Sequence, residues 1–326
     1  MALDRYGRRL NYLRISLTDH CNLRCLYCMP EEMVFRPAAD LMQDDEILEF
    51  VRLFVDLGFT KIRLTGGEPT VRQDVVRLVR QIAETPGVEI LTMTTNGVLL
   101  PRMAQQLAEA GLQRVNISLD TLDPDKFQTL TRWGSLENVW AGIQAAEDAG
   151  LMPVKINAVV VGGYNVPDMV DLARLTLKHA WQVRFIEMMP FGGNDDFQQA
   201  QLVTADQMHA YLEPILGPLQ QLNNGDLDGE AITYRIPEAI GDIGFISSVT
   251  TPFCHSCSRA RLTPDGRLRL CLLRELEVDL LTPLREGASQ KELRQLIIDG
   301  LWQKPWGHGL AQGIIPHNRE MCEIGG

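Results

Sequence analysis

The sequence predicts an α/β fold: a partial (β/α)6 barrel of the triosephosphate-isomerase type, two units short of closure, followed by a C-terminal α+β region. Three observations lead there. Short β-type runs alternate with amphipathic helical stretches from about residue 12 to 187. Repeated β-then-α units call for parallel strands joined by right-handed crossovers. The alternation ends near residue 190, where turn-rich sequence takes over, so residues 1–199 and 200–326 are expected to form two domains. A doubly wound sheet is the other architecture this alternation allows.

The expected strands are Leu13–Thr18, Lys61–Thr65, Glu89–Thr94, Arg114–Asp120, Val154–Val161 and Val183–Glu187. Between them, Asp44–Leu57, Gln73–Glu84, Arg102–Ala110, Leu136–Ala149 and Pro167–His179 carry apolar residues at helical spacing. Gly58, Gly111 and Gly150 each follow the last periodic residue of a helix, where a left-handed cap ends the element.

Strand phase carries more. Leu13, Ile15 and Leu17 share one face, and Arg14, Ser16 and Thr18 the other. Ile62 and Leu64 oppose Arg63 and Thr65; Leu91 and Met93 oppose Thr92, Thr94 and Asn96. Val115, Ile117 and Leu119 oppose Asn116, Ser118 and Asp120; Val154, Ile156 and Ala158 oppose Lys155 and Asn157. Covered parallel strands and filled barrel interiors are normally apolar on both faces. Five consecutive strands with one polar face therefore predict helices on the apolar side and a wide hydrated cavity on the polar side, suited to a large polar ligand. The sixth strand follows less cleanly, since Arg184 and Ile186 share a phase opposite Phe185, Glu187 and Met189. Beyond it, Phe191–Gln201 reads as a linker, Asn223–Glu230 as a polar turn, Ala231–Ile236 and Ile243–Val249 as strands, and Lys291–Leu301 as a helix.

Composition sets the outer bounds. Hydrophobic residues at 45% and charged residues at 22% exclude a disordered chain and a disulfide-dense mini-protein. With 31 basic against 42 acidic residues the net charge is −11, which argues against coating nucleic acid. No apolar run is long enough for a membrane span, and residues 1–10 contain no apolar signal region. A cytoplasmic chain with reduced thiols is the expectation.

The seven cysteines then fall as three, three and one: Cys21, Cys25 and Cys28; Cys254, Cys257 and Cys271; and Cys322. Cys21-x3-Cys25-x2-Cys28 directly follows the first strand, at the end where barrel active sites assemble. A structural zinc site takes four ligands, and His20 is the nearby fourth; ordinary ferredoxin motifs also give four cysteines per cluster. Three cysteines leave one position open to an outside ligand, and on a [4Fe–4S] cluster that open iron can chelate a cofactor. The later group also lacks an obvious fourth cysteine, and a zinc ribbon completed by His255 fits its spacing about as well as an open cluster. Beside it, Ser258-Arg259-Ala260-Arg261, with Arg267 and Arg269, reads as a polyanion receptor, because guanidiniums pair bidentately with phosphate. Lys155, inside a covered strand, needs a partner or a ligand.

Cys21-x3-Cys25-x2-Cys28, with Tyr27 before the last cysteine, resembles the radical S-adenosylmethionine (SAM) enzymes. Gly66-Gly67-Glu68-Pro69 is similar to their GGEP motif, which contacts the amino group of SAM. Tyr12-Leu13-Arg14-Ile15-Ser16 through Cys28-Met29-Pro30, the turn Thr94-Thr95-Asn96-Gly97, Cys254-x2-Cys257-x13-Cys271 and Gly325-Gly326 resemble one branch of that superfamily. That branch is the GTP 3′,8-cyclases of molybdenum cofactor biosynthesis (the protein A family), and the resemblance covers essentially the whole chain.

The resemblance implies two [4Fe–4S] clusters. One, on Cys21, Cys25 and Cys28, chelates SAM; the other, on Cys254, Cys257 and Cys271 in the C-terminal region, binds the guanine of GTP at its open iron. It further implies reductive cleavage of SAM to a 5′-deoxyadenosyl radical, hydrogen abstraction from C3′ of the GTP ribose, and closure onto C8 to give 3′,8-cyclo-7,8-dihydro-GTP. Tyr27, Gly67, Ser118 and Met189 match SAM-contacting positions. Arg14, Arg63, Thr94, Lys155 and Arg259-Ala260-Arg261 match GTP-contacting ones, with Arg259 and Arg261 also expected to act in catalysis. Gly325-Gly326 is expected to reach into the site, and Cys322, which matches no ligand position, reads as a small buried spectator. The implied partners are a cyclic pyranopterin monophosphate synthase that takes the product, a reduced flavodoxin or ferredoxin-type electron donor, and a second copy of the chain in a homodimer. Two other readings stay open: a peptide-modifying radical SAM enzyme with an auxiliary cluster, and a non-catalytic metal-binding or electron-transfer protein. A role in tRNA modification is disfavoured by the acidic balance and the lack of an appended RNA-binding module.

Overall fold

A small antiparallel hairpin, β1 (Ala2–Leu3) with β2 (Arg9–Leu10), leads into six parallel strands paired in chain order. These are β3 (Tyr12–Ser16), β4 (Lys61–Thr65), β5 (Ile90–Thr95), β6 (Arg114–Ser118), β7 (Lys155–Val160) and β8 (Gln182–Glu187). The crossovers carry α1 (Asp44–Asp56), α2 (Val75–Ala83), α3 (Ala104–Glu109), α4 (Pro124–Thr131), α5 (Leu136–Asp148) and α6 (Met169–Arg174). The computed structural model describes residues 2–191, 201–222 and 230–325. Most of the expected linker Phe191–Gln201 and of the turn Asn223–Glu230 therefore lies outside the described residues.

The expected β/α units are present, with differences that have local causes. The first strand ends at Ser16, because the chain turns there into the cysteine loop. Pro167–His179 is a shorter α6 followed by a 3-10 turn, Leu175–Leu177. The helix α4 is additional to expectation: it buries only Phe127, Leu130 and Thr131, too thin a stripe to register as periodicity, and is started by Asp123, whose carboxylate accepts from Asp125 N and Lys126 N. Gly58, Gly111 and Gly150 adopt the positive φ that ends their helices, at 96°, 98° and 73°.

The C-terminal strands do not make a sheet of their own. They are β9 (Gln220–Gln221), β10 (Ile232–Arg235), β11 (Asp242–Ile246), β12 (Arg259–Leu262), β13 (Arg267–Arg269) and β14 (Glu277–Asp279). β11 pairs parallel to β8 and β12 parallel to β3, so each free edge of the six-stranded core receives one more parallel strand. The antiparallel runs β9–β10 and β13–β14 lie outside them, completing a twelve-stranded open sheet. The expected helix near Lys291–Leu301 spans Gln290–Trp302, and a further helix, Ala205–Leu216, begins on a capping box of Thr204 and Gln207. No helix among the described residues is long and apolar enough to cross a membrane.

The strand phases hold. Leu13, Ile15, Ile62, Leu64, Leu91, Met93, Val115, Ile117, Ile156, Ala158, Val183 and Phe185 are all within 1% of complete burial and form one core with the inner stripes of the helices. The other face carries polar residues on all six strands, including Arg184 of β8, interrupted by Ile90, Val159 and Ile186. Register then decides which polar residues stand abreast. Arg261 pairs with Arg14, Arg14 with Arg63, and Arg63 with Thr92, so three arginines from three adjacent strands form one row.

The sheet and its helices leave no slack at α5. A Cβ at Gly142 would overlap the carbonyl of Gly97 in the turn after β5. Gly142→Ala is expected to lower stability by about 2–3 kcal/mol, read as a shifted urea midpoint with an unchanged m-value. An unshifted midpoint would contradict this packing.

Candidate active site

Two connected chambers occupy the polar side of the sheet. The upper one, at the C-terminal strand ends, has a volume of about 310 Å³, and all seven cysteines line it. The lower one, of about 730 Å³, is bordered by Tyr12, Thr92, Asn116, Lys155 and Arg184. Arg63, Glu230, Phe253, Cys257 and Arg259 border both.

The first cysteine loop is held by backbone contacts on either side. Arg24 N and Leu26 N donate to Thr131 O and Leu130 O at the end of α4, both at 3.0 Å. Gly67 N donates to Thr18 O and Glu68 N to His20 O, both at 2.7 Å. A Cβ at Gly67 would overlap the carbonyls of Asp19 and His20, so only glycine lets the loops close this tightly. Glu68 is structural: its buried carboxylate accepts from Thr70 N (3.0 Å), Thr95 Oγ1 (2.7 Å) and Asn96 N (2.6 Å), tying the glycine loop to the turn after β5. Burial pushes the Cys21 thiol up to about 12, so binding a metal centre there must release a proton.

The second group is assembled by a hairpin. Cys257 lies just before β12, and β13 returns antiparallel, with Arg269 opposite Arg261, so that Cys271 comes back beside Cys257. This is the physical content of the thirteen-residue spacing. Arg8 clamps the loop from the N-terminal hairpin, donating to Cys254 O (2.6 Å), Trp306 O (2.8 Å) and Pro305 O (2.6 Å) while pairing with Asp4 (2.6 Å). Burial raises the Cys257 thiol, but Lys304 and Arg259 beside it prevail and bring it down to about 7.

Donor chemistry discriminates between the metal readings. Neither histidine considered as a fourth zinc ligand lines the chamber that the cysteines share. His20 is half-exposed, stacks on Phe35 at 4.4 Å and bonds Asp19 at 2.8 Å, while His255 is exposed and borders the lower chamber. Among the described residues no three His, Cys, Asp or Glu side chains converge closely enough for a single metal ion. The three cysteines of each group instead line the upper chamber, where a cluster held by three thiolates would keep one iron for an outside ligand. At the second, a Cβ on Gly307 would lie 3.2 Å from Cys254 Sγ, so glycine keeps that sulfur clear.

The structure brings together most of the residues singled out from sequence. Tyr27, Gly67, Ser118, Met189, Arg14, Arg63, Thr94, Arg259 and Arg261 all line the upper chamber. Tyr27 donates to Asp120 (2.6 Å), whose carboxyl burial raises to about 6. Lys155 is buried but borders the lower chamber. Ala260 alternates with the two arginines and faces the core at 1% exposure, which leaves only its backbone for a ligand. Arg267 and Arg269 do not join the polyanion receptor. Arg267 is half-exposed among Asp265 and Asp279, and Arg269 is fully buried against Glu277 (2.7 Å) and the carbonyls of Cys271 and Leu272. Gly325 lies against the ends of β3 and β4 at Ser16 and Thr65: its carbonyl accepts from Arg261, its φ is +79°, and a Cβ would overlap Thr65 Oγ1. Gly326 lies outside the described residues. Cys322 is buried, as expected, but on the chamber wall.

Four residues of the site escaped sequence reasoning. Glu230 pairs with Arg14, with Arg259 at 3.1 Å and with Arg184 at 4.0 Å, and these cations hold its carboxyl well below the usual carboxylate range against the cost of burial. Arg184 and Arg63 share Asn116, whose turned amide oxygen accepts from them at 3.0 and 2.6 Å. Lys304 is buried, donates to Leu270 O and borders the second thiolate group. His308 accepts from Leu310 N through Nδ1 (3.3 Å), which places the ring proton on Nε2, and it lines the same chamber.

Known proteins give the site its family. Residues 15–176 match the radical SAM superfamily, and residues 181–310 match molybdenum cofactor synthesis C. The chain is 46% identical over 324 residues to a GTP 3′,8-cyclase of Pelotomaculum thermopropionicum, with 99% of each chain covered. It is 45% identical over 328 residues to a GTP 3′,8-cyclase of Peptoclostridium acidaminophilum, covering 100% of this chain and 98% of that one. Streptococcus suis SuiB bound to S-adenosylmethionine shares the fold at a TM-score of 0.67 and 14% identity, over 94% of this chain and 68% of that one. Its two consecutive family matches and its full-length relatives make this chain a member of the GTP 3′,8-cyclase family of radical SAM proteins.

Proposed function

We propose that the chain converts GTP to 3′,8-cyclo-7,8-dihydro-GTP in the upper chamber, the first step of building the molybdenum cofactor. The observation that carries this is that two three-thiolate groups, from opposite ends of the sequence, face one chamber whose wall is a row of arginines. Cys21, Cys25 and Cys28 would hold a [4Fe–4S] cluster that takes SAM, and Cys254, Cys257 and Cys271 one that takes the guanine. When bound, these groups supply the one-electron reduction and radical chemistry that the side chains present cannot generate.

The protein's own part is binding, orientation and exclusion of water. Tyr27, Gly67, Ser118 and Met189 are assigned to SAM. Arg14, Arg63 and Arg259 are assigned to the phosphates, with Thr94 and Lys155 on the nucleotide, Lys155 from the lower chamber. Arg261 holds the Gly325 carbonyl, which makes it a positioning residue for the final glycines as well as a cation of the row. Residues 1–199 would supply the SAM site together with Arg14, Arg63, Thr94 and Lys155 of the nucleotide site, and 200–326 the second cluster with Arg259 and Arg261. A cyclic pyranopterin monophosphate synthase is the proposed consumer of the product, and a reduced flavodoxin or ferredoxin-type protein the electron donor, in the cytoplasm.

The direct test is anaerobic reconstitution with iron and sulfide, followed by SAM, dithionite and GTP, with nucleotides resolved by mass spectrometry. The cyclised dihydro-GTP is the expected product; SAM cleavage without any GTP conversion in the reconstituted protein would defeat the assignment. Arg259→Ala is expected to lower kcat/KM for GTP roughly a hundredfold while uncoupled SAM cleavage persists. Equal loss of both activities would mean that Arg259 serves folding instead. Deleting Gly325 and Gly326 should likewise spare SAM cleavage and abolish cyclisation, and a deletion with full cyclase activity would contradict the role given to Arg261.

A further inference from the structure

The arginine row has a resident counter-ion. Arg261, Arg14 and Arg63 stand directly opposite one another on adjacent strands, where like charges repel, and burial strengthens that repulsion. Glu230 faces this wall from the junction of the two chambers, with its side chain 8% exposed, and reaches Arg14, Arg259 (3.1 Å) and Arg184 (4.0 Å) together. One carboxylate among so many guanidiniums leaves positive charge in excess. It also leaves donors unused: Arg14 Nε and Arg63 Nε are buried and have no hydrogen-bond partner among the described residues. The pocket is thus built for an anion with more charge and more acceptor oxygens than a carboxylate offers. A cation on Glu230 is excluded by its neighbours, since arginines surround the carboxylate.

We propose that Glu230 is an internal counter-anion standing where the nucleotide's phosphates bind, and that the triphosphate of GTP displaces it. Glu230 then sets a threshold on the ligand. An anion must satisfy the guanidiniums better than the carboxylate does before it can enter, which a triphosphate does and a weakly charged ligand does not. This specificity role rests on the reading of the chamber as the GTP site of the cyclase.

The test is equilibrium binding to the anaerobically reconstituted protein, using GTP, inorganic tripolyphosphate and guanosine, for wild type, Glu230→Gln and Arg259→Ala. Glu230→Gln keeps the side chain's shape and removes its charge. It is expected to tighten GTP and tripolyphosphate roughly tenfold or more and to leave guanosine unchanged. Unchanged or weakened tripolyphosphate binding would overturn the proposal, as would an equal gain for guanosine. The variant also leaves buried guanidiniums unpaired, so its melting temperature should fall and be restored by tripolyphosphate; a melt that tripolyphosphate does not raise counts against the proposal. The two readings fail differently. If wild type binds neither GTP nor tripolyphosphate, or Arg259→Ala is indifferent to both, the cyclase reading of the chamber fails. If Arg259→Ala weakens both and Glu230→Gln changes nothing, only the role of Glu230 fails.

Discussion

Parallel pairing of β12 with β3 and of β3 with β4 forces Arg261, Arg14 and Arg63 into one row, the first two buried and the third partly so, and much of the site follows from balancing that charge. Three like charges abreast are tolerable only if acceptors face them. The chain provides several: the Glu230 carboxylate, the Asn116 amide oxygen and the Gly325 carbonyl. The segments that deliver them come from distant parts of the sequence, so the row also organises the chain around the chamber. What the described residues do not supply is enough negative charge, the difference that the proposed triphosphate site would make up.

The second constraint is that neither thiolate group completes a metal site alone. At the first, the loop is fixed by the end of α4 and by the glycine contacts of Gly67, and its one adjacent imidazole is turned onto Asp19 and Phe35. At the second, the β12–β13 hairpin returns Cys271 to Cys257 while Gly307 leaves Cys254 unobstructed. Within the second group Cys257 has a distinct charge environment. Burial raises the Cys21 thiol, and it raises Cys254 of the second group as well, whereas Cys257 lies beside Lys304 and Arg259 and is lowered. Positive charge is concentrated on the side of the chamber assigned to the anionic substrate.

The barrel was legible in the sequence because its signal is local. Alternating polar residues within each strand, such as Arg14 and Ser16 or Asn116 and Ser118, expose the cavity face without any tertiary knowledge. The same logic failed where the deciding contact is remote. That β12 joins β3 and β11 joins β8 is a pairing across most of the chain, and nothing in Arg259–Leu262 announces it. Arg267 and Arg269 resembled Arg259 and Arg261 in sequence, but their partners, Asp279 and Glu277, lie on the neighbouring β14. Glu230 sat at the end of an apparent polar turn, and only the fold shows it among arginines. The helix at Ala205–Leu216 did carry a readable signal in Thr204 and Gln207, at capping-box spacing.

The central claim is that each three-thiolate group is completed by a different small molecule. Mössbauer and electron paramagnetic resonance spectra of the anaerobically reconstituted protein, recorded with SAM alone and with GTP alone, test this most directly. The account predicts about eight irons per chain in two [4Fe–4S] clusters. SAM should perturb only the cluster lost in a variant lacking Cys21, Cys25 and Cys28, and GTP only the one lost without Cys254, Cys257 and Cys271. Zinc at either site, or both ligands perturbing the same cluster, would contradict it.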